Sequence, residues 1–193
     1  MKKGLVILFL CLASVQLCAQ EKQKFFQLGF RTGLNVSNVS NMSGFAKASV
    51  YFGVQGPMQI SKFYVLQPEV SYTRQGANKV FIGDERISKG QLTLDYIDIA
   101  TTNKLMVDNF YFLLGTGLSI LTYSSEANIS NADLFLNFGV GYNITRKFGV
   151  EARWKKGLAD INYLPEDSPL WDPSMKYETN TNYTLQLGIY YKL

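Results

Sequence analysis

Eight stretches of this chain alternate apolar and polar residues, and a short Lys-or-Asn plus Phe signal recurs where alternate stretches begin. The signal reads Lys24-Phe25-Phe26, Lys62-Phe63-Tyr64, Asn109-Phe110-Tyr111 and Lys147-Phe148-Gly149. Strict period-two alternation puts every apolar side chain of a stretch on one face of a β-strand and every polar one on the other. Repeated hairpins with an aromatic ring at one rim satisfy that pattern, and no helical arrangement does.

The stretches run over residues 26–37, 46–60, 63–75, 91–105, 110–123, 132–144, 148–162 and 181–193. In the first, Phe26, Leu28, Phe30, Leu34 and Val36 oppose Gln27, Arg31 and Asn35. In the third, Tyr64, Leu66, Val70 and Tyr72 oppose Gln67, Glu69, Ser71 and Thr73, and Pro68, which has no N–H to donate, predicts an irregular pairing. The sixth sets Leu134, Leu136, Phe138, Val140 and Tyr142 against Asp133, Asn137, Gly139 and Gly141. The seventh sets Val150, Ala152 and Trp154 against Glu151, Arg153 and Lys155. The fourth is the least regular: Leu92, Leu94 and Tyr96 share one parity while Ile97 and Ile99 carry the other, so a β-bulge near Tyr96–Asp98 is expected. Connections are expected to alternate, short at 61–62, 107–109 and 145–147, long at 38–45, 76–90, 124–131 and 163–180.

The N-terminus reads as a secretory signal peptide over residues 1–19, with the barrel domain over 20–193. Lys2 and Lys3 precede the apolar run 5–12, which is too short to span a bilayer as a helix, and small residues lead to Ala19. Cys18 raises a lipoprotein alternative, disfavoured by the bulky Leu17 before it. Both cysteines, Cys11 and Cys18, fall inside this segment, and the chain has no His. The exported part therefore carries no disulfide, thiolate metal site or Ser-His-Asp set. Its net charge falls from +4 to +2 with Lys2 and Lys3 removed, against a nucleic-acid partner.

An exported chain that is 47% hydrophobic, with a mean hydropathy of -0.02, must place its apolar strand faces somewhere. In a soluble lipocalin-like barrel they form the core; in a membrane barrel they meet lipid, and the polar faces fill the interior. Three features favour the membrane. Connection lengths alternate. Phe26, Tyr64, Phe110, Phe148 and Tyr191 would mark one boundary, and Tyr72, Trp154 and Tyr183 the other. The polar faces are rich in Gly, Asn, Gln and Ser rather than dense in Lys and Glu. The expectation is an all-β, eight-stranded antiparallel up-and-down transmembrane barrel in outer-membrane lipid, with both termini periplasmic.

The stretches Leu28-Gly-Phe-Arg-Thr-Gly-Leu-Asn-Val-Ser37, Leu66-Gln-Pro-Glu-Val-Ser-Tyr72, Leu94-Asp-Tyr-Ile-Asp-Ile99, Phe112-Leu-Leu-Gly-Thr-Gly-Leu118, Phe138-Gly-Val-Gly-Tyr142, Val150-Glu-Ala-Arg153 and Leu185-Gln-Leu-Gly188 span the exported chain. They resemble the PorT-type outer-membrane β-barrel family of Bacteroidetes-like bacteria. Ala100 stands where that family usually continues into a proline. The resemblance implies a fold and a location rather than an activity. The family's namesake assists protein secretion, so a secretion-associated role and envelope or secretion partners are implied as one alternative to a structural or interaction protein.

The inward parity collects Arg31, Glu69, Glu151, Arg153 and Lys155, with Asp95 or Asp98 depending on the bulge. These residues form either a selective pore or ligand site, or a salt-bridged plug. An eight-stranded barrel has an interior just wide enough for side chains to fill, which favours the plug. Leu170, Trp171, Pro173 and Met175 are apolar for a loop, and suit either a partner contact patch or a loop folded over the barrel mouth. The loop pairs Asp84-Glu85 and Glu166-Asp167 suit solvated positions better than a cation site. No catalytic set, cofactor or metal is expected, and the chain is not expected to be an enzyme.

Overall fold

The computed structural model describes residues 26–40, 43–81, 91–125, 129–159 and 180–193. The signal-peptide segment, the patch at Leu170, Trp171, Pro173 and Met175, and both acidic loop pairs lie outside the described residues.

The strands are β1 (Gly29–Val39), β2 (Ser43–Gln55), β3 (Met58–Gln59), β4 (Tyr64–Phe81), β5 (Gln91–Val107), β6 (Phe110–Ser124), β7 (Ala132–Asn143), β8 (Phe148–Gly157) and β9 (Asn182–Lys192). All pairings between them are antiparallel, each strand pairs its sequence neighbour except β2 and β3, and β1 pairs β9 from Gly29↔Lys192 to Val39↔Asn182. β2 and β3 both pair β4 and form one interrupted stave, so the sheet closes as an eight-stranded barrel. Closure leaves no open sheet edge.

The interruption falls at Gly56-Pro57, opposite Gln67 and Pro68 on β4. Gly56 donates to the Pro68 carbonyl at 2.9 Å. In an antiparallel ladder a residue's N and O point to the same neighbour. The N–H that Pro68 lacks would therefore also have faced this gap, and the irregular pairing expected at Pro68 is where the two prolines meet.

Side chains face as the alternation requires. Phe30, Leu34, Val50, Phe52, Val70, Ile99, Leu114, Leu136, Phe138, Val140, Leu187 and Ile189 are exposed on the outer wall, whereas Arg31, Gln67, Glu69, Asn137, Glu151 and Arg153 are buried inside. A soluble lipocalin-like barrel needs the reverse, so that alternative is overturned. On β4 the apolar outer band runs from Tyr64 to Tyr72, matching the ~9–11 tilted residues that cross hydrocarbon. Aromatic pairs brace the band: Phe110 with Tyr142 at 4.6 Å and Phe52 with Tyr72 at 5.2 Å between ring centroids.

Four expectations are corrected. The fourth stretch contains no facing switch. Leu92, Leu94, Tyr96, Asp98, Thr102 and Lys104 all point inward, and the register β4:β5 is unbroken. The irregularity lies on the neighbour, where Asp95 pairs Tyr123 and Tyr96 pairs Leu121, leaving Thr122 of β6 as the extra residue. The first connection, expected as a long loop, is only 40–42, because Asn38 and Val39 continue β1 against β9 and β2 begins at Ser43. The third stretch, expected to end at Gln75, runs on to Phe81. The seventh ends at Gly157, not 162: the Leu158 N–H still reaches the Leu134 carbonyl at 2.7 Å, and just beyond it the Asp133 carboxylate takes the Ala159 N–H at 2.9 Å.

Above the outer band the two faces exchange character. Val39, Ala77, Leu92, Leu94 and Tyr96 form a buried apolar cluster inside the barrel with Ile129, and Leu121 packs against it. On the outer wall at that level, Arg74 donates to Asp95 at 2.7 and 2.9 Å.

Candidate functional site

The barrel interior holds every ionisable residue that the sequence singled out on the inward parity. Because β1, β4 and β8 present odd-numbered residues inward, Arg31, Glu69, Glu151, Arg153 and Lys155 converge without any special loop. Arg153 sits at the centre. Its guanidinium donates to both Glu69 oxygens at 3.0 and 2.8 Å and to Glu151 at 2.8 Å, tying the two carboxylates together. Arg31 forms a second ion pair with Glu69. Gln67 donates to the other Glu69 oxygen at 2.8 Å. Each carboxylate thus meets several charge-assisted bonds, the condition for tolerating charge away from water.

Lys155 lies one layer toward the loop side. Its ammonium pairs Asp98 at 2.6 Å, rests 4.0 Å from the centroid of the Phe135 ring, and shares Ser119 with Asp98. The choice between Asp95 and Asp98 therefore resolves: Asp98 faces inward, and Asp95 faces outward to Arg74.

Four participants were not singled out. Lys104 pairs Glu151 at 2.6 Å, and Tyr111 donates to the same carboxylate at 2.7 Å. Counting by twos from Asp98 would have found Lys104. Tyr51 lies under Arg31, with 4.8 Å between guanidinium and ring centroid. Lys47 is buried where β2 slips one residue against β4, and its ammonium donates to the Leu92 carbonyl at 3.1 Å and the Thr93 hydroxyl at 2.5 Å.

The interior tyrosines fit because glycines face them. A Cβ at Gly141 would sit 2.2 Å from the Tyr111 ring, one at Gly149 2.3 Å from the Tyr190 hydroxyl, and one at Gly188 1.8 Å from that of Tyr51. What space remains among Arg31, Glu69, Asp98, Arg153 and Lys155 is a cavity of about 10 Å³, room for one water molecule at most. The interior is therefore a filled ionic core. Among the described residues, no group of three or more His, Cys, Asp or Glu side chains is arranged to hold a metal ion.

An apolar outer wall closed around a polar, side-chain-filled interior defines a transmembrane β-barrel of the smallest size class. The family model described as outer membrane protein beta-barrel domain matches residues 18–163, and the chain belongs to that family. Among solved structures, the chain is similar to the Neisserial surface protein A, at 14% identity and a TM-score of 0.54, over 90% of this chain and 100% of that one. It is also similar to Ail, the attachment invasion locus protein of Yersinia pestis, solved in complex with the heparin analogue sucrose octasulfate. That match has 15% identity and a TM-score of 0.47, over 87% of this chain and 99% of that one. No curated protein matches the sequence.

Proposed function

We propose that this protein is a non-catalytic outer-membrane barrel of structural or interaction type: a rigid, closed anchor that presents its loops outside the cell. The observation that carries this reading is the filled interior. Arg153 ties Glu69 to Glu151 across the interior, and the interior carboxylates Glu69, Asp98 and Glu151 are engaged by cations rather than free for acid–base chemistry. In this reading the signal peptide over 1–19 is removed, and the three tight connections and both termini face the periplasm. The connections after β4, β6 and β8 would then face the outside, and Leu170, Trp171, Pro173 and Met175 would serve as an apolar contact patch for partners.

Two measurements test it. Reconstituted protein in a planar bilayer should show no steady single-channel conductance; stable channels would overturn the closed-anchor reading. A cysteine placed in the 160–179 segment should react with a membrane-impermeant maleimide on intact cells, while Arg146→Cys should react only after the outer membrane is opened. The opposite pattern reverses the orientation.

The resemblance to PorT-type barrels supports a second reading, an accessory to protein secretion. Deletion followed by comparison of exported cargo tests it, and unchanged secretion excludes it.

A further inference from the structure

The interior and the turn-side mouth treat their cations differently. Inside, Arg31, Lys104, Arg153 and Lys155 each pair with a carboxylate. At the mouth, a cavity of about 750 Å³ is lined by Lys62, Arg146 and Lys192 together with Gln27, Gln59 and Ser61, and among the described residues no carboxylate lines it. Among the described residues, none of these three cations takes part in an ion pair.

The three come from separate places in the barrel. Lys62 lies in the connection between β3 and β4, Arg146 in that between β7 and β8, and Lys192 closes β9. Lys192 is turned into the mouth rather than out to lipid: its ammonium lies 5.5 Å from the ring centroid of inward-facing Tyr190, while Lys104 approaches the same ring at 5.1 Å. The acidic residue of the third tight connection, Asp108, does not line the cavity. Three cations line one concavity, so an anion entering it meets all three. A guanidinium and two ammonium groups lining one cavity suit the several oxygens of a phosphate, with Arg146 able to form the two-pronged contact. The volume lies in the range of about 300–1,000 Å³ typical of small-molecule sites and exceeds what one phosphate fills, which leaves room for a polar body against the Gln27, Gln59 and Ser61 side chains.

We propose that the turn-side mouth is a binding site for a phosphate-bearing organic anion, either a phospholipid headgroup or a free phosphate ester, held by Lys62, Arg146 and Lys192. This goes beyond the anchor reading and does not depend on which compartment the mouth faces.

The test uses the full barrel folded in a non-ionic detergent and dialysed against radiolabelled glycerol 3-phosphate. In parallel, the protein is placed in nanodiscs containing phosphatidylglycerol, and retained lipid is weighed by native mass spectrometry. In at least one arm, binding should be saturable, weaken as salt rises, and fall at least about tenfold in the K62Q/R146Q/K192Q variant, since charge-assisted bonds are lost. Loss of glycerol 3-phosphate binding supports a free ester as ligand; loss of retained phosphatidylglycerol alone supports a headgroup. Wild type and variant behaving alike in both arms would overturn the site. Heat-modifiable gel mobility reports folding. Should the triple variant not fold, R146Q and K192Q are measured singly, and unchanged binding in both also overturns it. Asp108→Asn, on the same rim but outside the cavity, makes the rim more positive and should leave binding unchanged; a gain there as large as the loss in the triple variant would reduce the effect to general rim charge and overturn the site as well.

Discussion

The two halves of this barrel solve opposite solvation problems with the same strands. In the membrane half, apolar side chains such as Phe138 and Val140 point out and the ionic layer around Arg153 points in. In the loop-side half, Leu92, Leu94 and Tyr96 form an apolar core, while Arg74 and Asp95 pair on the outer wall. The lower half is a membrane protein and the upper half is built like a small soluble barrel. On β2 and β6 a one-residue slip shifts the parity between the halves; on β1, β4 and β5 it runs through unchanged, and what changes is which residue types occupy each parity. The exchange marks the level at which the surroundings of the wall pass from lipid to water.

Substitutions in matched positions can break this comparison, and their expected sizes differ. Removing the central cation should be the most damaging. Arg153→Ala leaves Glu69 and Glu151 buried without their shared partner, at an expected cost of about 3–5 kcal/mol, read by urea unfolding in detergent micelles. A loss under 1 kcal/mol, by about the measure of an exposed pair, would mean that water reaches the layer. In the upper core, Leu94→Ala should cost about 2–5 kcal/mol through the cavity left behind. An undiminished midpoint there would show that the apolar cluster does not hold the upper barrel together.

A charge on the outer wall should separate the halves most directly. Val140→Arg, in the lipid-facing band, is expected to cost about 2–4 kcal/mol, whereas Tyr123→Arg, exposed above it opposite outward-facing Asp95, should cost about 0–1 kcal/mol. Equal penalties in vesicle-folded protein would move the lipid boundary. The smallest effect belongs to Arg74 and Asp95. Arg74 is about half exposed, so a double-mutant cycle should give under about 1 kcal/mol, shrinking as salt is added. A large, salt-insensitive coupling would place this pair in hydrocarbon.

The sequence made the membrane half nearly transparent. There the two parities differ in chemistry, so Arg31, Glu69, Glu151, Arg153 and Lys155 could be assigned inward by counting alone, and they do meet. The loop-side half was opaque for the reason that makes it interesting. Leu92, Leu94 and Tyr96 are apolar and inward, and assuming one chemistry per face turned that exchange into a bulge on β5. The real bulge, at Thr122 on β6, leaves little trace because Leu121, Thr122 and Tyr123 suit either face. Lys104 was within reach of counting from Asp98, but Lys47, Tyr51 and Tyr111 were passed over because long amphipathic side chains carry no clear facing signal. The strand ends at Val39, Phe81 and Gly157 depend on tertiary pairing and on the Asp133 carboxylate, which no local pattern encodes.

The seam between β1 and β9 has a consequence for how the molecule comes into being. Gly29 lies against Lys192 and Val39 against Asn182, so the first stave to be synthesised has no second neighbour until the last one emerges. Every intermediate before that point carries two unsatisfied ladders that hydrocarbon would not accept. Insertion should therefore wait for the C-terminal strand, and a chain truncated before Asn182 should remain water-side, held by whatever escorts unfolded barrels, rather than enter the membrane as a seven-staved fragment.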